Sequence, residues 1–245
     1  MNPTIDLLTR HRSIRKFNDE PVTTEMLHAV LEAGQAAASS SFLQGVTVIR
    51  VTDKQKRAAF KDITCGQPYV ESAPVFLVFC ADLSRPMRCC KAHGGTAAEG
   101  LTEQFIIATV DTALYAQNTV VAAESAGLGI CYIGAVRNDP ARTSELLELP
   151  RHVYPVFGLC LGWPAQDPEV KPRLPLSVML KENTYSIDGE DTAIAAYDNV
   201  MRAYYAERTD NQKAQGWSEQ MAGLLGKESR LHMREFLQSQ GFLTK

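Results

Sequence analysis

Long apolar runs are missing from this sequence. The longest uninterrupted one, "APVFLVFCA" at 73–81, is too short to cross a bilayer. No charged-then-apolar stretch of signal-peptide type opens the chain, so a reducing cytoplasm is the expected setting. Charge of one sign is scarce as well. Lys and Arg total 25 against 28 Asp and Glu, a net charge of -3, which leaves no global field to draw the chain to nucleic acid or a membrane. Cysteines are few and unpatterned. Cys65, Cys80, Cys89, Cys90, Cys131 and Cys160 show neither disulfide-framework nor zinc-ribbon spacing. Cys89, Cys90 and His93 have no fourth ligand at a usual distance, so no metal is expected. Cys80, Cys131 and Cys160 lie in apolar runs and read as reduced core residues. There is no GxGxxG, P-loop, HExxH, CxxC or Ser-His-Asp order. A chemistry run by a bound organic cofactor would need only binding groups from such a chain.

What is present suits a large single domain or a domain with an extension. Of the 245 residues 45% are hydrophobic, ample for a core without a disulfide or metal staple. "NPTIDLLTRH" reads as a helix with Asn2 as N-cap and Pro3 at its first position. "TTEMLHAVLEAGQAA" reads as a second, capped by Thr23 or Thr24, with Met26, Leu27, Val30 and Leu31 as its apolar face. Residues 46–52, 74–82, 130–136 and 154–164 read as strands, the first two buried. Ser84 to Gly95 reads as a loop. The stretch from Ala97 to Gly127 or Gly129 reads as one long helix, buried all round. A short helix follows at 139–148, started by Asp139 before Pro140. After the proline-rich loop 165–178, the chain from Asp188 on is helical and more charged. The expectation is an α+β fold, a mostly antiparallel sheet flanked by helices.

Two basic clusters stand out. "HRSIRKF" at 11–17 places Arg12 and Arg15 around Ser13, a set of guanidinium forks and a hydroxyl that matches a phosphate. Read alone, it suits cations complementing a helix C-terminus somewhat better. Lys171 and Arg173 flank Pro172, which with Pro175 stiffens the backbone so that both can face a ligand; alternatively they form an ordinary solvated loop. "SSSFLQ" at 39–44 supplies hydroxyls and an exposed-looking Phe42. Gly134 in "GLGICYIGAV" permits close approach of a ligand to the backbone.

"HRSIRKF", "SSSFLQ", "CGQPYV", "AAESAGLGICYIGAVRN", "FGLCLGWPAQDPEVKPRLP" and "KESR" occur in that order. Together they resemble the oxygen-insensitive NADPH nitroreductases of the major type and the flavin reductase P subgroup of the nitroreductase family, over essentially the whole chain. The resemblance implies a homodimer with a nitroreductase-like α+β fold and non-covalent FMN at each of two subunit-interface sites. It implies a core at 1–187 and a helical extension at 188–245 that packs on the core or the dimer partner. His11, Arg12, Ser13, Arg15, Ser39, Gln67, Tyr69, Tyr132, Ile133, Gly134, Lys171 and Arg173 match flavin-contacting positions. Ser41, Phe42, Glu103 and Arg230 match positions around the substrate. Arg208 and Lys213 match the basic loop that selects the NADPH 2′-phosphate. Ala135 departs from the family, where a second glycine is usual, and Lys213 offers a point charge in place of a fork.

The activity so implied is a ping-pong reduction of nitroaromatics and quinones by NADPH, the hydride carried at FMN N5 and no side chain acting as acid or base. Alternatives are an NADPH:FMN reductase that releases reduced flavin, a flavin-binding redox sensor using Cys89 and Cys90, and a plain globular domain with solvated basic loops.

Overall fold

The apolar run at 73–81 becomes the central strand of a four-stranded sheet. The strands are β1 (Val46–Arg50), β2 (Val75–Asp82), β3 (Gly129–Ile133) and β4 (Val153–Gly162), in the order β1-β2-β4-β3 with every pairing antiparallel. The computed structural model describes residues 2–208 and 212–245.

Side chains alternate across β2, as period two demands. Val75, Leu77 and Phe79 face one cluster with Ile130, Leu159 and Leu161. Phe76, Val78 and Cys80 face another with Cys131, Ile133 and Cys160. All of β2 is buried, so it reads as a continuous apolar run. A register shift between Phe79 and Cys80 lies opposite Pro155, which has no N–H to give the ladder.

Helices cover both faces. α1 (Pro3–Thr9) is capped by Asn2, whose side chain accepts from Thr4 N, and α2 (Thr24–Gln35) by Thr23. α3 (Lys54–Ile63) and α4 (Pro68–Ser72) place Phe60, Ile63 and Val70 on the Phe76 face. α6 (Thr102–Ser125) packs Ala116, Val120 and Ala123 on the Leu77 face with Leu27 and Val30 of α2. The two helices meet closely at Gly34, where a Cβ would stand 2.1 Å from Thr119 Oγ1.

Three expectations change. Ser84–Ala92 is a helix, α5, where a loop was expected. Its cysteines and basic residues hide a helical turn repeat that Pro86, near its start, tolerates. α6 is not buried all round, because Ile106, Val110 and Leu114 are exposed along one stripe. β1 is half buried, as an edge strand is.

α7 (Pro140–Leu146) starts as expected, with Asp139 accepting from Arg142 N. The chain separates into two compact units, Met1–Pro168 with Arg230–Lys245, and Glu169–Ser229. These bounds differ from the division at 187/188. The chain end rejoins the first unit because Phe236 and Leu237 of α11 (Met233–Ser239), with Phe242, pack on Tyr154 and Val156 of β4. The second unit holds α8 (Leu176–Met179), α9 (Glu190–Glu207) and α10 (Trp217–Leu225) around Tyr197, Met201 and Tyr205.

Candidate functional site

After α1 the chain runs extended along β3. Ile14 donates its backbone N–H to the Ile130 carbonyl at 2.8 Å, and Ser13 bridges Ile130 in parallel. Ile14 is buried against Gly129, where a Cβ would stand 2.7 Å from Ile14 Cγ1. With Ile14 pinned, its neighbours project. His11 Nδ1 lies 2.6 Å from Glu124 Oε1 of α6. Arg12 pairs with Asp167 at 2.9 Å. The Arg15 backbone N–H donates to Gln166 Oε1 at 3.0 Å. Arg12, Ile14, Glu124, Gly129, Gln166 and Asp167 line a cavity of about 910 Å³.

Arg15 reaches the other face. Its guanidinium acts on the Tyr69 phenol. Burial raises that phenol and the Cys131 thiol, and the Arg15 charge opposes both shifts. Gln67 is the N-cap of α4, two residues before Tyr69, and makes no side-chain cap bond. Tyr132 stands edge-on to Phe157, 5.0 Å between centroids, with burial pushing its phenol up. Ile133 is buried, and Gly134 begins the 3-10 turn Gly134–Asn138 that contains Arg137.

The serine run folds around a buried acid. Asp111 of α6 accepts from Ser39 Oγ at 2.5 Å and Ser40 N at 3.0 Å, and Ser39 Oγ accepts from Gln44 N at 2.7 Å. Ser41, Phe42 and Gln44 take left-handed φ values of 50°, 56° and 53°. The hydrogen bonds around Asp111 hold these uncommon conformations in place. The loop leaves Phe42 80% exposed. Glu103 is exposed in the first turn of α6. Arg230 Nε donates to Asn138 Oδ1 at 3.1 Å.

The remaining basic residues form a group within the second unit. The Lys171 and Lys213 ammonium groups lie 5.5 and 5.7 Å from the Tyr205 ring centroid. Burial alone would raise the Tyr205 phenol, but the hydrogen bond from Lys171 and the two lysine charges outweigh it and lower the phenol. Arg173 is exposed in the same proline-rich segment. Arg208 lies over Tyr204 at 6.0 Å.

Compared with known proteins, residues 8–163 match the model of the Nitroreductase family, and residues 171–245 match that of the Nitroreductase family, C-terminal domain. The chain belongs to the nitroreductase family. This nitroreductase is 45% identical over 245 residues to an oxygen-insensitive NADPH nitroreductase of Salmonella typhimurium, with all of both chains covered. It is 47% identical over 241 residues to an NADPH-flavin oxidoreductase of Vibrio harveyi, with 98% of each covered. A solved structure of the NADPH:FMN oxidoreductase from Vibrio harveyi complexed with NAD+ superposes with a TM-score of 0.91 at 43% identity, covering all of both chains.

In this nitroreductase the structure sets Ser13 against β3, His11 on α6 and Tyr132 on the Leu77 face of the sheet, while Tyr69 of α4 lies on the opposite face, where the Arg15 charge acts on it. Ser39, Ser41 and Phe42 share one loop, and Ile133, Gly134 and Arg230 meet about the 3-10 turn. Sequence reasoning missed Glu124, Asp111 and Gln166, which hold these groups in place. Glu124 and Asp111 lie within a helix whose apolar periodicity hides them. A carboxylate on an otherwise apolar helix face was the available signal.

Proposed function

We propose that this nitroreductase binds FMN non-covalently and uses NADPH to reduce nitroaromatics and quinones by two electrons at a time, in a ping-pong cycle. The observation that carries the reading is the grip at residues 11–15, an extended segment tied to β3 through Ile14 with cations and a hydroxyl on its flanks. Its donors fit a phosphate. The Ser13 hydroxyl has no partner among the described residues, and the Arg15 residue is exposed. The Arg12 partner, Asp167, is itself 81% exposed, so that ion pair exchanges readily for a better one. Planar guanidinium forks suit a phosphate dianion.

Bound FMN supplies the hydride chemistry; the chain binds, orients and excludes water. Arg12, Ser13 and Arg15 hold the phosphate and ribityl region, with Lys171, Arg173, Ser39, Gln67 and Tyr69 as further contacts. The strand end Tyr132-Ile133-Gly134 lines the ring. Phe42 offers an apolar wall for a flat substrate, beside Ser41, Glu103 and Arg230. Arg208 and Lys213 take the coenzyme 2′-phosphate, so the C-terminal helical region serves coenzyme binding.

The working unit of the proposal is a homodimer. The stripe Ile106, Val110 and Leu114 on α6 is exposed, as are Leu176, Met179, Tyr185 and Leu225 in the second unit. A run of apolar side chains exposed along one helix face suits association. No helix among the described residues is long and apolar enough to cross a membrane. The cytoplasm is the proposed setting.

A second reading, an NADPH:FMN reductase that releases reduced flavin, uses the same site and is favoured by the name of the Vibrio harveyi relative. The visible spectrum of the purified protein, followed by anaerobic titration with NADPH and NADH, tests the proposal. Flavin absorbance should bleach with NADPH; unchanged absorbance overturns it. Turnover on nitrofurazone or a quinone against turnover on free FMN separates the two readings.

A further inference from the structure

Arg137 is a half-buried cation without an anionic partner among the described residues. It lies in the 3-10 turn Gly134–Asn138, immediately after β3. Its Nη1 donates to the Val156 carbonyl. Its Nη2 lies 3.3 Å from where a Cβ on Gly134 would stand, so the guanidinium borders the backbone assigned to the flavin ring. A second guanidinium is anchored on the same turn, through the bond from Arg230 Nε to Asn138 Oδ1. Arg230 holds a left-handed backbone, φ 53°, which non-glycine residues seldom adopt. His232 adds its ring at 3.0 Å from the Arg137 carbonyl.

Among the described residues no Asp or Glu forms an ion pair with Arg137, Arg230 or His232. Tyr154 is near, but burial pushes its phenol up to about 12, so it stays neutral at neutral pH. The burial of Arg137 and the Arg230 charge both disfavour its protonated form. Two guanidiniums brought together without a counter-charge repel each other, and an oxyanion shared by both relieves that repulsion through charge-assisted hydrogen bonds.

We propose that Arg137 and Arg230 form a clamp for an oxyanion, a carboxylate, sulfonate or phosphate, carried by the acceptor substrate or by the coenzyme. The inference rests on the proposed FMN-dependent reductase function, because that reading puts the reacting molecule next to Gly134. Arg137 is then a specificity-determining residue that selects anionic over neutral acceptors.

The test compares the holoenzyme with Arg137→Gln, Arg137→Lys and Arg230→Gln. Three quantities are measured: kcat/KM for 4-nitrobenzoate against its methyl ester, KM for NADPH, and calorimetric affinity for benzenesulfonate. Arg137→Gln and Arg230→Gln should each lose about ten- to a hundredfold in benzenesulfonate affinity, the loss of a charge-assisted hydrogen bond, with partial recovery in Arg137→Lys. A matching fall in the nitrobenzoate-to-ester ratio assigns the clamp to the acceptor; a rise in the NADPH KM at a constant ratio assigns it to the coenzyme. If both the ratio and the NADPH KM stay at wild-type values and benzenesulfonate binds unchanged, the clamp is refuted. Flavin content and bleaching by NADPH would then still hold, and the proposed FMN-dependent reductase function would stand. Calorimetry reads benzenesulfonate binding with or without flavin. Arg230→Gln keeps the test decisive should loss of the Arg137 bond to Val156 unfold the first variant.

Discussion

Nδ1 of His11 lies 2.6 Å from Oε1 of Glu124, joining the first basic cluster to the C-terminal half of the long helix. The bond fixes which imidazole nitrogen faces the helix. Glu124→Ala leaves a part-buried ring nitrogen without its acceptor. It should cost about 1–3 kcal/mol of stability, seen as a lower melting temperature of the apoprotein, and should weaken FMN retention. Glu124→Gln keeps an acceptor oxygen and should recover most of the stability.

Arg12→Ala and Arg15→Ala should each weaken FMN binding by about ten- to a hundredfold, the worth of one charge-assisted hydrogen bond. Flavin fluorescence titration of the apoprotein measures it. Stability of the apoprotein should hardly move in Arg12→Ala, because an ion pair with an exposed Asp167 contributes about 0–1 kcal/mol. Unchanged flavin retention in both variants would return the cluster to ordinary surface.

Gly129→Ala places a methyl 2.7 Å from Ile14 Cγ1. Something must shift between the strand and the segment bound along it. Overpacking of this kind costs about 1–3 kcal/mol, and FMN affinity should fall with it. Gly134→Ala meets only the end of the Arg137 side chain, at 3.3 Å, and should cost less in denaturant melts.

Asp82 is buried at the end of β2. Burial disfavours its charge, yet bonds from Thr47 and Ser84 and the Arg85 charge outweigh that and hold the carboxyl below its ordinary range. A carboxylate depressed on folding stabilises the protein above its unfolded pKa, and that contribution fades as pH falls through the folded value. Asp82→Asn should therefore cost about 1–2 kcal/mol at pH 7. The gap to the parent protein should close below about pH 4. Denaturant melts across pH 3–7 measure it. A constant gap would show that Asp82 acts by shape alone.

Val110→Glu puts a charge in the middle of the exposed α6 stripe. Because Val110 is 48% exposed, the fold itself should survive, with circular dichroism unchanged. Size-exclusion chromatography with light scattering should show the dimer of the parent protein falling to monomer. A parent protein that runs as a monomer would remove the dimer from the proposal.

Local order was legible along the chain. Asn2, Thr23 and Asp139 announce their helices through capping chemistry, and the β-branched and aromatic runs announce all four strands. The segment 84–92 was not legible, because adjacent cysteines and basic residues resemble a loop until the helical turn places them. The exposed α6 stripe was hidden too, since an apolar residue carries no mark of whether it faces a core or a partner.

The ordered motifs were enough to point to the family, which the family models match over residues 8–163 and 171–245, and through that resemblance to His11, Arg12, Ser13 and Arg15 as the proposed anion-binding set. Their support was decided only in three dimensions. Glu124 is 113 residues from His11, Asp111 is 72 from Ser39, and Arg230 is 92 from Asn138. Hydrogen bonds across such separations leave no periodic trace in a sequence. They exist because antiparallel strands and the long helix bring distant backbone into register, and that register is a property of the packed sheet.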